Sequence, residues 1–133
     1  MKAKLFILAL LFISCISLND KTAEAVQITK VIPVSKTTWT VFGTYTKAYT
    51  SNKFPVANLA YDSGVYNNCI GHVRAQLSGG WTQITSNTYV NRGSSKTLTA
   101  DTTINSGVRV SLRLKGDGTW NSAWDDFKIR FTY

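Results

Sequence analysis

Two stretches decide the fold: Val108-Arg109-Val110-Ser111-Leu112-Arg113-Leu114-Lys115 and Phe127-Lys128-Ile129-Arg130-Phe131-Thr132-Tyr133. In the first, Val108, Val110, Leu112 and Leu114 alternate with Arg109, Ser111, Arg113 and Lys115. In the second, Phe127, Ile129, Phe131 and Tyr133 alternate with Lys128, Arg130 and Thr132. Successive side chains of an extended chain point to opposite faces, so a period of two describes strands with one buried face. Burying each large apolar side chain contributes about 1.5–3 kcal/mol. A slip of one residue would carry the arginines into the core, so the pattern itself sets the register.

The alternation recurs upstream in shorter, more broken form. Val26 to Val34 reads as a strand ended or bulged at Pro33. Thr37 to Thr46 reads as a second, with Trp39, Val41, Gly43 and Tyr45 on one face and Thr38, Thr40, Phe42 and Thr44 on the other. Tyr49 to Gly64 reads as a long connection holding Pro55, with a short strand around Val56 to Tyr61. Val65 to Leu77 is a third main strand, in which Cys69, Gly71, Val73, Ala75 and Leu77 alternate with Ile70, His72, Arg74 and Gln76. Ser78-Gly79-Gly80 is a turn, Trp81 to Val90 its hairpin partner, and Asn91-Arg92-Gly93 a second turn. Ser95 to Ala100 is short and polar, as an edge strand would be.

Helical periodicity is absent, and Thr, Val, Tyr and Trp suit a pleated surface. Short strands punctuated by Gly, Asn and Ser predict an all-β fold: a small antiparallel β-sandwich, jelly-roll-like, with a small β-barrel as the alternative. No repeat, low-complexity tail or long linker divides the chain, so residues 26–133 are expected to form a single domain.

The first 25 residues read as a signal peptide. Lys2 and Lys4 form its positive end, and Leu5 to Ile16 is apolar but for Ser14 and Cys15. That run falls short of the roughly 20 apolar residues of a membrane span. Ala23-Glu24-Ala25 then offers small residues at both positions a signal peptidase reads, predicting cleavage after Ala25 and secretion. The alternative is a lipoprotein, with Phe12-Ile13-Ser14-Cys15 as a lipobox and Cys15 lipidated. The mature domain keeps one cysteine, Cys69, and so has no internal disulfide. An exported domain without disulfides and without any N-x-S/T acceptor has the style of a bacterial secreted protein.

Formal charge is +8 for the whole chain. Without the leader it stays near +7, from 12 Lys and Arg against five Asp, and no Glu remains. Such a balance favours anionic partners. Outside a cell these are wall polymers and lipid surfaces; no nucleic acid partner is expected. Arg109, Arg113 and Lys115 share the outward face of one terminal strand, and Lys128 and Arg130 that of the other. Were these strands to pair, the cations would form one strip about 20 Å long, able to track phosphates by bidentate Arg contacts. The plainer reading is a solvated face that also guards against edge pairing.

Gly116 to Asp126 joins those two strands and is long for a hairpin loop. Trp120 and Trp124 beside Asn121 are what a sugar-binding surface uses, a flat apolar ring with polar atoms near it. The same rings suit a membrane interface, and the plainer role for at least one of them is to cap the core. Trp124-Asp125-Asp126-Phe127 leading into a terminal amphipathic strand resembles jelly-roll glycan-binding modules, over that stretch alone.

Asp117, Asp125 and Asp126 do not have the spacing of an EF-hand loop, and no metal or cofactor is expected. Cys69 and His72 are the only thiol and imidazole of the mature domain, and a flat strand sets them on opposite faces; a nucleophilic pair would need a bulge at Gly71. A buried Cys69 and a surface His72 are the expected placement. No catalytic motif surrounds any serine, and without Glu a glycosidase carboxylate pair has no support. Together these residues predict a secreted, non-enzymatic protein that binds an anionic or glycan component of the cell envelope. The alternative is a cationic antibacterial or membrane-active toxin, and a small hydrolase built on Cys69 and His72 is the third reading.

Overall fold

Alternating apolar residues need a second apolar face to pack against, and the chain supplies it with two antiparallel sheets. The computed structural model describes residues 24–59 and 68–133. In chain order the strands are β1 (Gln27–Ser35), β2 (Thr40–Thr46), β3 (Ser51–Leu59), β4 (Cys69–Leu77), β5 (Gly80–Gln83), β6 (Thr88–Val90), β7 (Ser94–Ile104), β8 (Arg109–Gly116) and β9 (Trp124–Thr132). One sheet has the order β1-β9-β3-β7; the other runs β2-β8-β4-β5, with β6 also paired to β4.

β5 and β6 are two pieces of one interrupted strand along β4. Counted as one, they leave eight strands, ordered first-eighth-third-sixth and second-seventh-fourth-fifth. That is the order of a jelly roll, two Greek keys folded face to face. The expected sandwich is therefore the fold, and no closed barrel forms among the described residues. The leader reading, Cys15 and the segment 60–67 fall outside those residues, apart from Glu24 and Ala25.

The core lies between the sheets. Val110, Leu112 and Leu114 of β8 are fully buried on one side, and Ile129 and Phe131 of β9 on the other. Phe131 is the centre of an aromatic cluster. Its ring stacks on Phe54 at 6.4 Å between centroids, meets Phe42 edge-on at 6.3 Å, and lies 6.0 Å from Tyr45 and 5.7 Å from Tyr133. Both decisive strands thus bury the faces their alternation marks.

Three departures from the expected strands shape the rest. In β2 the register shifts between Val41 and Gly43, so Phe42 and Tyr45 both reach Phe131 instead of facing apart. A Cβ on Gly43 would lie 2.2 Å from the Tyr45 hydroxyl oxygen, so the glycine makes room for that ring. The expected connection around Pro55 is instead β3, a full strand with β9 on one side and β7 on the other. Phe54 and Val56 point inward with Asn58, which is buried and donates from Nδ2 to the Val90 carbonyl at 3.1 Å. Pro55 fits because β9 pairs with β3 only from Val56 onward. β7 is the expected edge strand but runs on to Ile104, with Leu98, Ala100 and Ile104 inward.

The interruption between β5 and β6 has a cause. Thr85 turns inward and is buried; its Oγ1 accepts a hydrogen bond from Val73 N at 2.9 Å, and it bridges to Ala100 of the other sheet. Lys47, next to β2, is also buried. Its ammonium lies 4.3 Å from the centroids of both the Tyr49 and Phe54 rings and has no hydrogen-bond partner among the described residues.

Candidate functional site: a cationic hollow on one outer sheet face

β8 and β9 belong to different sheets. The five cations of the two terminal strands therefore do not share a face. Arg109, Arg113 and Lys115 lie on the outside of the β2-β8-β4-β5 sheet; Lys128 and Arg130 lie on the outside of the other. Neighbouring strands supply what the first group lacks. Register places His72 of β4 directly beside Arg113, Ile70 beside Lys115 and Arg74 beside Ser111. β5 then sets Gln83 beside Arg74 and Trp81 beside Gln76. The face thus carries Arg74, Arg109, Arg113 and Lys115. The described aspartates lie elsewhere: Asp101 on β7, Asp117 just past β8, and Asp125 and Asp126 on β9.

Two tryptophans contact three of these cations, Lys115, Arg74 and Arg109. Trp39, just before β2, packs edge-on against His72 at 4.2 Å between centroids, and Lys115 Nζ sits over its ring at 4.8 Å. Trp81 accepts from Arg74 Nη2 through its carbonyl at 2.7 Å, and the Arg109 guanidinium lies 5.9 Å from its ring. Cations over indole rings stay ordered while keeping their outer N–H groups free for a ligand.

Between them is a hollow of about 220 Å³ lined by Trp39, His72, Arg74, Gln83 and Arg113. Two polar atoms on this stretch of β8 are buried without a hydrogen-bond partner among the described residues: Arg113 Nε and Ser111 Oγ. The histidine is fixed from behind. Its Nδ1 lies 3.0 Å from Asn87 Oδ1, which also accepts from Gln83 Nε2 at 3.2 Å. An amide oxygen can only accept, so Nδ1 carries the proton, and Nε2 is the nitrogen left to meet a ligand. Burial pushes the His72 pKa below its ordinary value; the Asn87 bond opposes this, and the charges of Arg74, Arg113 and Lys115 add to the lowering. At neutral pH the ring is uncharged. His72 was expected on the surface; it faces outward but is only 5% exposed, because Trp39 covers it.

The remaining candidates separate. Of Lys128 and Arg130, only Arg130 lines a cleft, one of about 70 Å³ beside Pro55, Ala57 and Ser95. It is about a third the volume of the hollow beside Arg113. Trp120 is buried, stacks on Phe127 at 5.2 Å and donates from Nε1 to the Asn68 carbonyl at 3.1 Å, so it caps the core. Trp124 is 56% exposed, and Asn121 beside it is exposed too. Asp117 closes its own turn, accepting from Thr119 Oγ1 at 2.6 Å and Thr119 N at 2.9 Å, which lowers its pKa. No group of three or more metal-ligating side chains occurs among the described residues.

Cys69 and His72 do not meet. The β4–β8 register runs unbroken through Gly71, so Cys69 points into the core while His72 points out. Burial pushes the Cys69 thiol up to about 12, and its Sγ rests 3.7 Å from the Val90 carbonyl. Such a thiol is not a nucleophile at neutral pH.

Sequence reasoning missed Trp39, Arg74 and Gln83 as partners of Arg113. The alternation in β4 already set His72 and Arg74 on one face; what it lacked was the knowledge that β4, and not β9, lies beside β8. The fold and site together define a class: an eight-stranded β-sandwich with a tryptophan-flanked cationic hollow on one outer face. No protein-family model matches the chain, and no curated protein matches it. A sandwich fold alone does not determine function, so the functional reading rests on the site.

Proposed function

We propose that this is an exported, non-enzymatic binding protein that engages an anionic or glycan component of the cell envelope through the outer face of the β2-β8-β4-β5 sheet. One observation carries the reading: Arg74, Arg109, Arg113 and Lys115 share that face with Trp39 and Trp81, and no described carboxylate lies among them. A single-sign surface concentrates and steers polyanions, and guanidinium forks bind their oxygens in pairs. Export is supported by the leader with its Ala23-Glu24-Ala25 site. Asn121 of the β8–β9 loop and Trp124 at the start of β9, both exposed, are the residues there suited to touch a neutral sugar.

The test is co-sedimentation of the purified protein with bacterial cell walls across a salt series, before and after their anionic polymers are stripped. Binding lost on stripping and weakened by salt is the expected result. Binding indifferent to both would move function to Trp124 and neutral glycan. Dye release from anionic liposomes would replace this reading with a membrane-active toxin, because a passive wall binder releases none.

A further inference from the structure

We infer that the hollow lined by Trp39, His72, Arg74, Gln83 and Arg113 is a subsite for a single phosphoryl group carried on a small polyol or sugar, with Arg113 and Arg74 gripping its oxygens and His72 sharing a proton with it. This rests on the envelope-binding reading and narrows it from anionic matter in general to one chemical group.

Size comes first. At about 220 Å³ the hollow is smaller than the roughly 300–1,000 Å³ of pockets that enclose a drug-sized ligand. It has room for a phosphoryl group and the few atoms next to it, not for a length of glycan. Donor supply comes second. Arg113 lines the hollow, and its Nε is buried without an acceptor among the described residues. Buried donors in that state are uncommon and costly. Arg74 is steadied by the Trp81 carbonyl through one nitrogen, which leaves its other N–H groups to turn toward a ligand. Donors supplied from two strands, Arg74 on β4 and Arg113 on β8, suit a tetrahedral oxoanion with three free oxygens. A planar carboxylate offers only two, both in one plane.

His72 decides between kinds of phosphate. With Nδ1–H given to Asn87, a ligand meets the lone pair of Nε2. That lone pair repels a fully ionised oxygen but accepts a proton from P–OH. A phosphomonoester loses its second proton near pH 6, so it brings such a proton at mildly acidic pH. The charged groups facing His72 are Arg74 from its own strand and Arg113 and Lys115 from β8, all of which oppose protonation of the ring, while uncharged Trp39 and Asn87 cover the remainder. An anion in the hollow offsets those three charges. The ring therefore holds a proton more readily in the complex than in the free protein, and binding is expected to tighten as pH falls from 8 toward 6.

The experiment is calorimetric titration of the intact protein with glycerol phosphate, a monoester, at fixed ionic strength in two buffers of different ionisation enthalpy, with glucuronate as the carboxylate control. The expected result is saturable binding with net proton uptake, at least tenfold tighter than glucuronate. Arg113→Gln should weaken it tenfold or more, and Arg113→Lys, which keeps the charge but not the fork, should fall between. His72→Gln should remove the proton uptake and flatten the pH profile. Thermal melts confirm that each variant is folded. Equal affinity for glucuronate, or binding indifferent to Arg113→Gln, would overturn the subsite. Competition by glycerol phosphate against walls and, separately, against phosphatidate-containing vesicles tells a wall source from a lipid headgroup. Glycerol phosphate binding without wall binding would sink the envelope reading and keep the subsite. Wall binding with no glycerol phosphate binding would do the reverse.

Discussion

Neutralising the two basic faces separately should have very unequal effects. Arg109→Gln with Arg113→Gln empties the β8 face of both its arginines; Lys128→Gln with Arg130→Gln does the same on the opposite side of the sandwich. Arg113 lines the hollow and keeps a buried, unpartnered Nε, so it meets a ligand in a sheltered place. A hydrogen bond to a charged group in such a setting contributes about 1.5–3 kcal/mol. Arg109 is exposed over Trp81, where an ion pair is worth about 0.2–1 kcal/mol. Together the pair should cost about 2–4 kcal/mol of binding, or about 30- to 700-fold in Kd. Lys128 and Arg130 are a whole sandwich away, beyond the roughly 8 Å screening length of 0.15 M salt, and their loss should change Kd less than about threefold. The assay is wall co-sedimentation at 0.15 M salt, with melting temperatures to show both variants folded. Equal losses in the two double variants, or the larger loss on β9, would refute the assignment of binding to this face.

Trp120→Ala should lower stability by about 3–5 kcal/mol and leave little folded protein, whereas Trp124→Ala should leave the melting temperature nearly unchanged, since only Trp120 is buried against Phe127. Lys47→Met should stabilise by about 1 kcal/mol in denaturant melts, because removing an unpartnered buried charge outweighs the loss of its cation–π contacts with Tyr49 and Phe54. Burial lowers the folded Lys47 pKa below 10.5, so the unfolded chain binds more protons between the two values and wild-type stability should rise with pH across that window; the rise should be absent in Lys47→Met. Cys69 should resist thiol reagents at pH 8 until the protein unfolds, given full burial and a thiol pushed up to about 12; rapid labelling of native protein would contradict the assigned face. Thr85→Val should destabilise by about 1–3 kcal/mol in denaturant melts, because it leaves the buried Val73 N–H without its acceptor.

The layered architecture was readable because β8 and β9 obey period two without exception, and each buries the face that alternation marks. The boundaries of β3 and β2 were not. In β3, Asn58 holds an inward position, satisfied by a hydrogen bond to a residue far along the chain, and Pro55 imitates a loop; neither partner is visible from local pattern. In β2 a single register shift sets Phe42 and Tyr45 toward one cluster, and a bulge of that kind leaves no mark beyond a glycine at the right place. The basic strip failed as one surface for a third reason. Alternation tells which side of its own strand a residue takes, but strand order tells which strands share a sheet, and here the longest-range pairings decide it. Trp120 and Trp124 were equally alike in sequence, and only the packing against Phe127 distinguishes the core residue from the exposed one.

The interruption of the strand opposite β4 connects fold and site. Along most of its length β4 is matched residue for residue, by β5 from Arg74 to Leu77 and by β6 from Cys69 to Gly71. Between them lie His72 and Val73, where Ile84 N reaches the Val73 carbonyl at 2.9 Å and Thr85 Oγ1 takes the Val73 N–H. By turning Thr85 inward to the core, the chain throws the next residues outward, and Asn87 arrives at His72 Nδ1. An unbroken hairpin would have placed one more cross-strand side chain opposite His72 and left no hollow. The break that costs the sheet its regular ladder is therefore what opens the site and orients the imidazole within it. Asn87 thus orients the imidazole from within the break itself, two residues past Thr85, whose buried and hydrogen-bonded side chain anchors that segment to the core.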